Sequence, residues 1–171
     1  MKSIIKLMLF GYFATFILIA IGYGVYWSIY KRIPRQPIAF SHKTHIMKVG
    51  LQCVDCHKYA DVALSPGVPP VAKCMSCHAK VKTESPEIIK LTQFWNNKEP
   101  VPWIKVHNLP THVYFSHKRH IRRGISCETC HGQVQGMDEI RQVRSLNMGM
   151  CVSCHREPEY KASTDCLTCH K

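Results

Sequence analysis

Cysteine is absent from the first 52 residues, charge is absent from Leu7 to Tyr30, and acidic side chains are few throughout. Each absence excludes something. With no cysteine near the N-terminus, a lipid anchor there has no attachment point. No Ala-x-Ala site follows the uncharged run, which argues against its removal as a secretory signal. Acidic residues number 11 against 23 Lys and Arg, a net charge of +12. A balance of that kind points to nucleic acid or a membrane surface. No alternation of aromatic and basic residues accompanies it, however, so nucleic acid is not an expected partner. Finally, the ten cysteines leave none over: every one falls in a pair spaced Cys-x-x-Cys.

The uncharged run holds 24 residues, with Lys2 and Lys6 before it and Lys31 and Arg32 after it. As a helix it spans about 36 Å, enough to cross a hydrocarbon layer of about 30 Å with some tilt. Tyr23, Tyr26, Trp27 and Tyr30 gather at its C-terminal end, where aromatic side chains sit at a lipid interface. Residues 1–35 therefore read as an uncleaved membrane anchor with a transmembrane helix at about 7–30. The flanking positive charges are nearly balanced and do not orient it.

Each cysteine pair is followed at once by histidine: Cys53, Cys56 and His57; Cys74, Cys77 and His78; Cys127, Cys130 and His131; Cys151, Cys154 and His155; Cys166, Cys169 and His170. CxxCH is the attachment signature of c-type haem, with two thioethers to the porphyrin and the next side chain on the iron. Histidine makes up 11 of 171 residues. On composition alone, five such placements come to roughly one in a million. Zinc sites draw Cys-x-x-Cys pairs two by two, or one pair with two distant histidines, and five pairs do not divide evenly. A disulfide framework is open to ten cysteines outside the cytosol but gives no reason for the histidine. The expectation is five covalently bound haem c groups. Because haem is joined to CxxCH thiols on the outer side of the bacterial cytoplasmic membrane, the domain after the anchor is expected in the periplasm.

Five haems also account for the charge. Beyond residue 35 there are 18 Lys and Arg against 11 Asp and Glu. The basic surplus largely balances haem propionates, a local Coulomb effect. A small positive face toward anionic lipid is compatible with what remains. Residues 36–171 supply about 27 residues per haem, too few for an ordinary side-chain core around each. The haems must form much of the core, wrapped by loops and short helices. Ten prolines and nine glycines fit that picture, including the run Ser65-Pro-Gly-Val-Pro-Pro70.

The domain contains an internal repeat. Phe40-Ser-His-Lys-Thr-His-Ile46, then Gly50 and Cys53, is matched by Phe115-Ser-His-Lys-Arg-His-Ile121, then Gly124 and Cys127. This divides the domain into a two-haem unit (36–82) and a three-haem unit (103–171), joined by a linking helix within 83–102. Ser85, Pro86 and Glu87 read as N-cap, first-turn proline and first-turn acid. Ile88, Leu91 and Trp95 share a helical face until Pro100 and Pro102 end it, a packing helix rather than a cofactor site.

Outside the motifs six histidines remain: His42, His45, His107, His112, His117 and His120. Six imidazoles for five irons point to six-coordinate, low-spin haems. In Phe-x-His-x-x-His the two histidines are one helical turn apart, with Cβ atoms about 5–6 Å apart if helical. Each haem already holds one histidine and needs one more, so the two must serve different irons. Each pair thus pins two haems close together.

Phe-x-His-x-x-His ahead of CxxCH repeats resembles the class III multihaem cytochromes c. More narrowly, Trp103-Ile-Lys-Val-His-Asn-Leu-Pro-Thr-His-Val-Tyr-Phe-Ser-His117 and Asn147-Met-Gly-Met-Cys-Val-Ser-Cys-His-Arg156 resemble the pentahaem subunit of alternative complex III. With the anchor and the 2+3 layout, the likeness covers essentially the whole chain. Thr111 departs from the acidic residue expected there, but it is not a ligand. The resemblance implies a small, mostly irregular and α-helical domain with little β structure. It also implies a ligand order: His42 for the haem at Cys53/Cys56, His45 for Cys74/Cys77, His117 for Cys127/Cys130 and His120 for Cys151/Cys154. The haem at Cys166/Cys169 would then take a side chain just before the fourth motif, which is Met148, with His112 and His107 as competitors.

The function so implied is electron transfer without chemistry of its own, within a respiratory complex that oxidises quinol. Its partners would be a quinol-binding multispan subunit, an iron-sulfur subunit and a monohaem cytochrome c, with a copper protein or terminal oxidase as further acceptors. The alternative is a stand-alone quinol dehydrogenase cytochrome feeding a periplasmic reductase. A pentahaem nitrite reductase fits less well, because its catalytic haem replaces the motif histidine with lysine, and all five motifs here carry histidine.

Overall fold

A computed structural model describes residues 2–30 and 34–170, with the side chains of Ile29 and Tyr30 outside the description. Lys31 and Arg32, the C-terminal flank of the apolar run, also lie outside the described residues. The chain divides into two units, residues 1–34 and 35–171.

The first unit is one helix, α1 (Lys2–Tyr30). Over Lys2–Ser28 its mean hydropathy is 2.3, and it is long and apolar enough to cross a membrane. Its large apolar side chains from Ile4 to Trp27 are exposed, as lipid contact requires and a soluble core does not. The Thr15 hydroxyl donates to the Gly11 carbonyl at 2.8 Å, so this polar group is satisfied within the helix. Tyr23 and Trp27 stack at 5.9 Å between ring centres, one turn apart.

The second unit is built of short helices joined by irregular chain. A π-helical turn (Thr44–Lys48) follows the first histidine pair. Then come α2 (Cys53–Cys56), α3 (Val71–His78), α4 (Pro86–Asn96), α5 (His117–Arg122) and α6 (Cys127–His131). A 3-10 turn (Val134–Gly136), α7 (Met148–Arg156) and α8 (Cys166–Cys169) complete it. Every CxxCH motif therefore begins or lies within a helix. Among the described residues there is no β-strand, only an isolated antiparallel bridge between Val113 and His170.

Among the described residues, buried apolar side chains cluster in one place. Ile38, Met75, Leu91 and Val101 are buried together, with Val71, Cys74, Ile88, Phe94 and Trp103 against them. This cluster joins α3 to α4. Ala60 is the one other buried apolar residue described. Five buried side chains are far too few to hold a domain of this size, which leaves the core to be completed by something other than side chains.

Helix α4 begins at Pro86 with Ser85 as N-cap and Glu87 in its first turn. Its buried face runs Ile88, Leu91 and Phe94. Trp95 is 46% exposed, so the face drifts one residue earlier than the Ile88–Leu91–Trp95 reading. A strict three-residue step follows the neighbour row of the helix and keeps Phe94 over α3. The Glu87 carboxylate also accepts from the Ala39 backbone N–H at 2.6 Å, tying α4 to the chain just before the first histidine pair.

Candidate haem-binding site

The two Phe-x-His-x-x-His segments fold alike. Phe40 meets His42 edge-on at 4.9 Å and stacks on His45 at 4.3 Å. Phe115 meets His117 edge-on at 4.8 Å and stacks on His120 at 4.3 Å. In both, the serine after the phenylalanine accepts a backbone N–H three residues on: Thr44 N to Ser41 at 3.0 Å, and Arg119 N to Ser116 at 3.4 Å. The phenylalanine fixes both imidazole planes, and the serine starts the helical turn that separates them.

Each paired histidine points to a different motif. His45 faces His78 with 6.1 Å between ring centres, His120 faces His155 at 6.1 Å, and His117 faces His131 at 6.3 Å, nearly parallel. Two imidazoles bound on opposite faces of one metal, each by a bond of about 2 Å, have ring centres roughly 6 Å apart. His42 has His57 as its leading electrostatic neighbour after burial. His112 stacks beside His170 at 5.4 Å.

The tautomers are set by the backbone. Nδ1 donates to a carbonyl in six of the eleven rings: His45 to Ser41 (2.8 Å), His57 to Gly67 (2.8 Å), His78 to Val81 (3.0 Å), His117 to Leu64 (2.9 Å), His120 to Ser116 (2.8 Å) and His155 to Ser163 (2.8 Å). A carbonyl only accepts, so Nδ1 carries the proton and Nε2 keeps its lone pair for a metal. Burial pushes the His131 pKa down to about 4, with His107, His117 and His57 adding to it. Burial and then His57 and His45 do the same to His42, also to about 4. Both are therefore neutral near pH 7, the ligating form.

Two buried ring nitrogens have no partner: His42 Nδ1 and His107 Nε2. An unpaired buried polar atom costs about 1–3 kcal/mol. His107 meets His131 edge-on at 4.3 Å, too close for an iron between them. Beside His78 a cavity of about 490 Å³ opens between α3 and α4, lined by Met75, Ala79, Ile89 and Thr92 among others. The ten cysteines are all free thiols. Facing imidazole pairs, free thiols one and four residues before each motif histidine and orphaned buried nitrogens together fit haem c. No cluster of three or more His, Cys, Asp or Glu converges on one point among the described residues, as a bare zinc site would require.

Met148, the sequence-based choice for the fifth haem, opens α7 and is 68% exposed. His112 is the ring found beside His170. The bridge at Val113 and the bond from Tyr114 N–H to the Cys169 carbonyl (2.8 Å) bring it there. Nothing in the linear spacing of His112 announces this contact, which depends on the last residues folding back onto 113–114.

This is the architecture of a multihaem electron-transfer cytochrome. The cytochrome c3 family profile matches residues 44–132, and the chain belongs to that family. The profile for cytochrome c7 and related cytochrome c matches residues 113–171. Among curated proteins, the chain is similar to the multiheme cytochrome c subunit of a menaquinone reductase from Nitratidesulfovibrio vulgaris. The two are 27% identical over 161 residues, covering 80% of this chain and 77% of the relative.

Proposed function

We propose that the chain is a membrane-anchored pentahaem cytochrome c, the electron-transfer subunit of a respiratory complex that oxidises quinol. The observation that carries the reading is the set of five motif histidines, four of them with a second imidazole ring in contact. The fifth, His57, has His42 as its neighbour. Cys53, Cys56, Cys74, Cys77, Cys127, Cys130, Cys151, Cys154, Cys166 and Cys169 hold the haems. The histidine pairs that would hold the irons are His57 with His42, His78 with His45, His131 with His117, His155 with His120, and His170 with His112. Here His112 replaces Met148 as the ligand of the fifth haem.

Each haem, when bound, takes up or gives up one electron without making or breaking a bond to a substrate. The chain's own residues would hold each haem by two imidazoles, which would leave no site for a substrate such as nitrite. They fix the imidazole planes through Phe40 and Phe115, and they keep Nδ1 protonated through backbone carbonyls. One apolar helix does not build a quinone pocket, so quinol chemistry belongs to a multispan partner. An iron-sulfur subunit and a monohaem cytochrome c complete the expected assembly. The long apolar helix supports a location at the bacterial cytoplasmic membrane, and attachment of haem to CxxCH thiols on its outer side supports a periplasmic haem domain. The strings at 103–117 and 147–156 support alternative complex III.

The relative's name gives the opposite direction, quinone reduction, and favours a second reading in which electrons run through the same subunit toward the quinone. Purification of the assembled complex in mild detergent distinguishes the two. Quinol-dependent reduction of the haems supports the first, and haem-dependent quinone reduction the second. In the same preparation His112→Ala converts one haem in five to high spin and Met148→Ala none. The reverse pattern returns the fifth ligand to methionine.

A further inference from the structure

We propose that the two repeat units are joined through the first and third motifs, so that in space the motifs run Cys74/Cys77, Cys53/Cys56, Cys127/Cys130, Cys151/Cys154, Cys166/Cys169. Chain order would instead join the second motif to the third. The inference rests on the haem reading above and concerns how this chain's residues arrange the five attachment sites.

Two seams hold the units together. In the first, the loop after motif one bonds along α5. His117 N–H donates to the Leu64 carbonyl at 3.1 Å, Lys118 N–H to Ala63 at 3.2 Å and Arg122 Nε to Asp61 at 3.1 Å. The same loop holds one axial histidine from each unit, His57 through the Gly67 carbonyl and His117 through the Leu64 carbonyl. In the second seam, the start of the first histidine pair meets the chain after motif three. Lys43 N–H donates to the Met137 carbonyl at 3.0 Å, and the Ser41 hydroxyl to Asp138 at 2.7 Å. Both seams thus connect the surroundings of His57 and His42 with those of His131 and His117.

The remaining links are local. His42 and His45 share one turn and tie motif one to motif two; His117 and His120 tie three to four. Ser163 ties four to five, since its carbonyl accepts from His155 and its hydroxyl meets Thr168 of α8 at 2.9 Å. Motif two, on α3 beside the α3–α4 cavity, is then one end of the series and α8 the other.

The test is a redox titration of the full-length holoprotein in detergent, followed by NMR of the haem methyl resonances, which yields pairwise haem–haem interactions. The expected result is that the strongest interaction between units joins the haems of His57 and His131. A strongest cross-unit interaction between the haems of His78 and His131 overturns the order. Gly67→Ala supplies a second arm. Gly67 has φ +73°, and an added Cβ would lie 3.1 Å from the Tyr59 ring. The strain disturbs the shared loop, so the resonances of the His57 and His131 haems shift together while those of the His78 haem stay. A shift confined to the His57 haem counts against the shared loop. Intact mass separates the layers: fewer than five haems sinks the pentahaem reading, whereas five haems with the wrong couplings sinks the order alone.

Discussion

The first repeat unit packs a small apolar cluster with the linking segment, Ile38 and Met75 against Leu91 and Val101, while the second has no buried apolar residue among those described. Yet their ligand turns agree to within 0.1 Å in both phenylalanine–histidine ring spacings. Ligand geometry is therefore set locally, by an aromatic ring and a serine-started turn, and does not depend on a surrounding side-chain core. Stability is a separate matter: in the second unit it must come from the cofactors and from the seams. A further difference is that His117 has the Leu64 carbonyl for its Nδ1, whereas the equivalent His42 has none. The loop from unit one thus completes a histidine of unit two, with no return contact of the same kind.

The largest way to break the comparison is to remove one attachment in each unit. Cys127→Ala with Cys130→Ala deprives residues 107–170 of a haem they have no side chains to replace. The expected result is collapse of that region, read as rapid proteolysis between 107 and 170 and loss of more than one haem by mass. Cys74→Ala with Cys77→Ala should leave α4 and its contacts with α3 protected, because Leu91, Ile88 and Phe94 still pack there. Equal proteolysis in the two variants would show that the apolar cluster contributes nothing on its own.

Leu91→Ala acts on the same cluster more gently. Leu91 is 5% exposed at the centre of the only apolar cluster described. Truncating a buried leucine costs about 2–5 kcal/mol. The incomplete enclosure puts this one near the lower end, about 2–3 kcal/mol. Urea unfolding should show that loss in a transition reported by the His78 haem, while the His131 and His155 haems keep their midpoints. A matching shift in all of them would mean that the two units unfold as one.

Much of this was legible in the sequence because the chemistry is local. CxxCH needs only five residues in a row, and the paired histidines need only one helical turn, so both could be read without a fold. So could the start of α4, where Ser85, Pro86 and Glu87 carry the signal themselves. What escaped depends on chain segments far apart. Trp95 and Phe94 are adjacent, and only the position of α3 decides which is buried. His112 reaches His170 because Val113 and Tyr114 bind the last motif, a contact between residues 57 positions apart. The joining of motif one to motif three is likewise invisible in the spacing, since the loop at 61–67 carries no ligand of its own.

The smallest expected effect separates the two serines. Ser41 and Ser116 hold equivalent places, and a cap serine is worth about 0.5–2 kcal/mol. Ser41 accepts at the shorter distance, 3.0 Å against 3.4 Å, and also donates to Asp138 across the seam. Ser41→Ala should therefore cost about 1–2 kcal/mol and Ser116→Ala about 0.5 kcal/mol in urea unfolding. A double-mutant cycle with Asp138→Ala isolates the seam from the cap. If Ser41 and Asp138 are coupled across the seam, losing both costs less than the two single losses added together. Strict additivity would mean that Ser41 acts as a cap alone. The units would then be held at that point by the Lys43 N–H bond to Met137, and the first seam, along 61–67, would carry the junction.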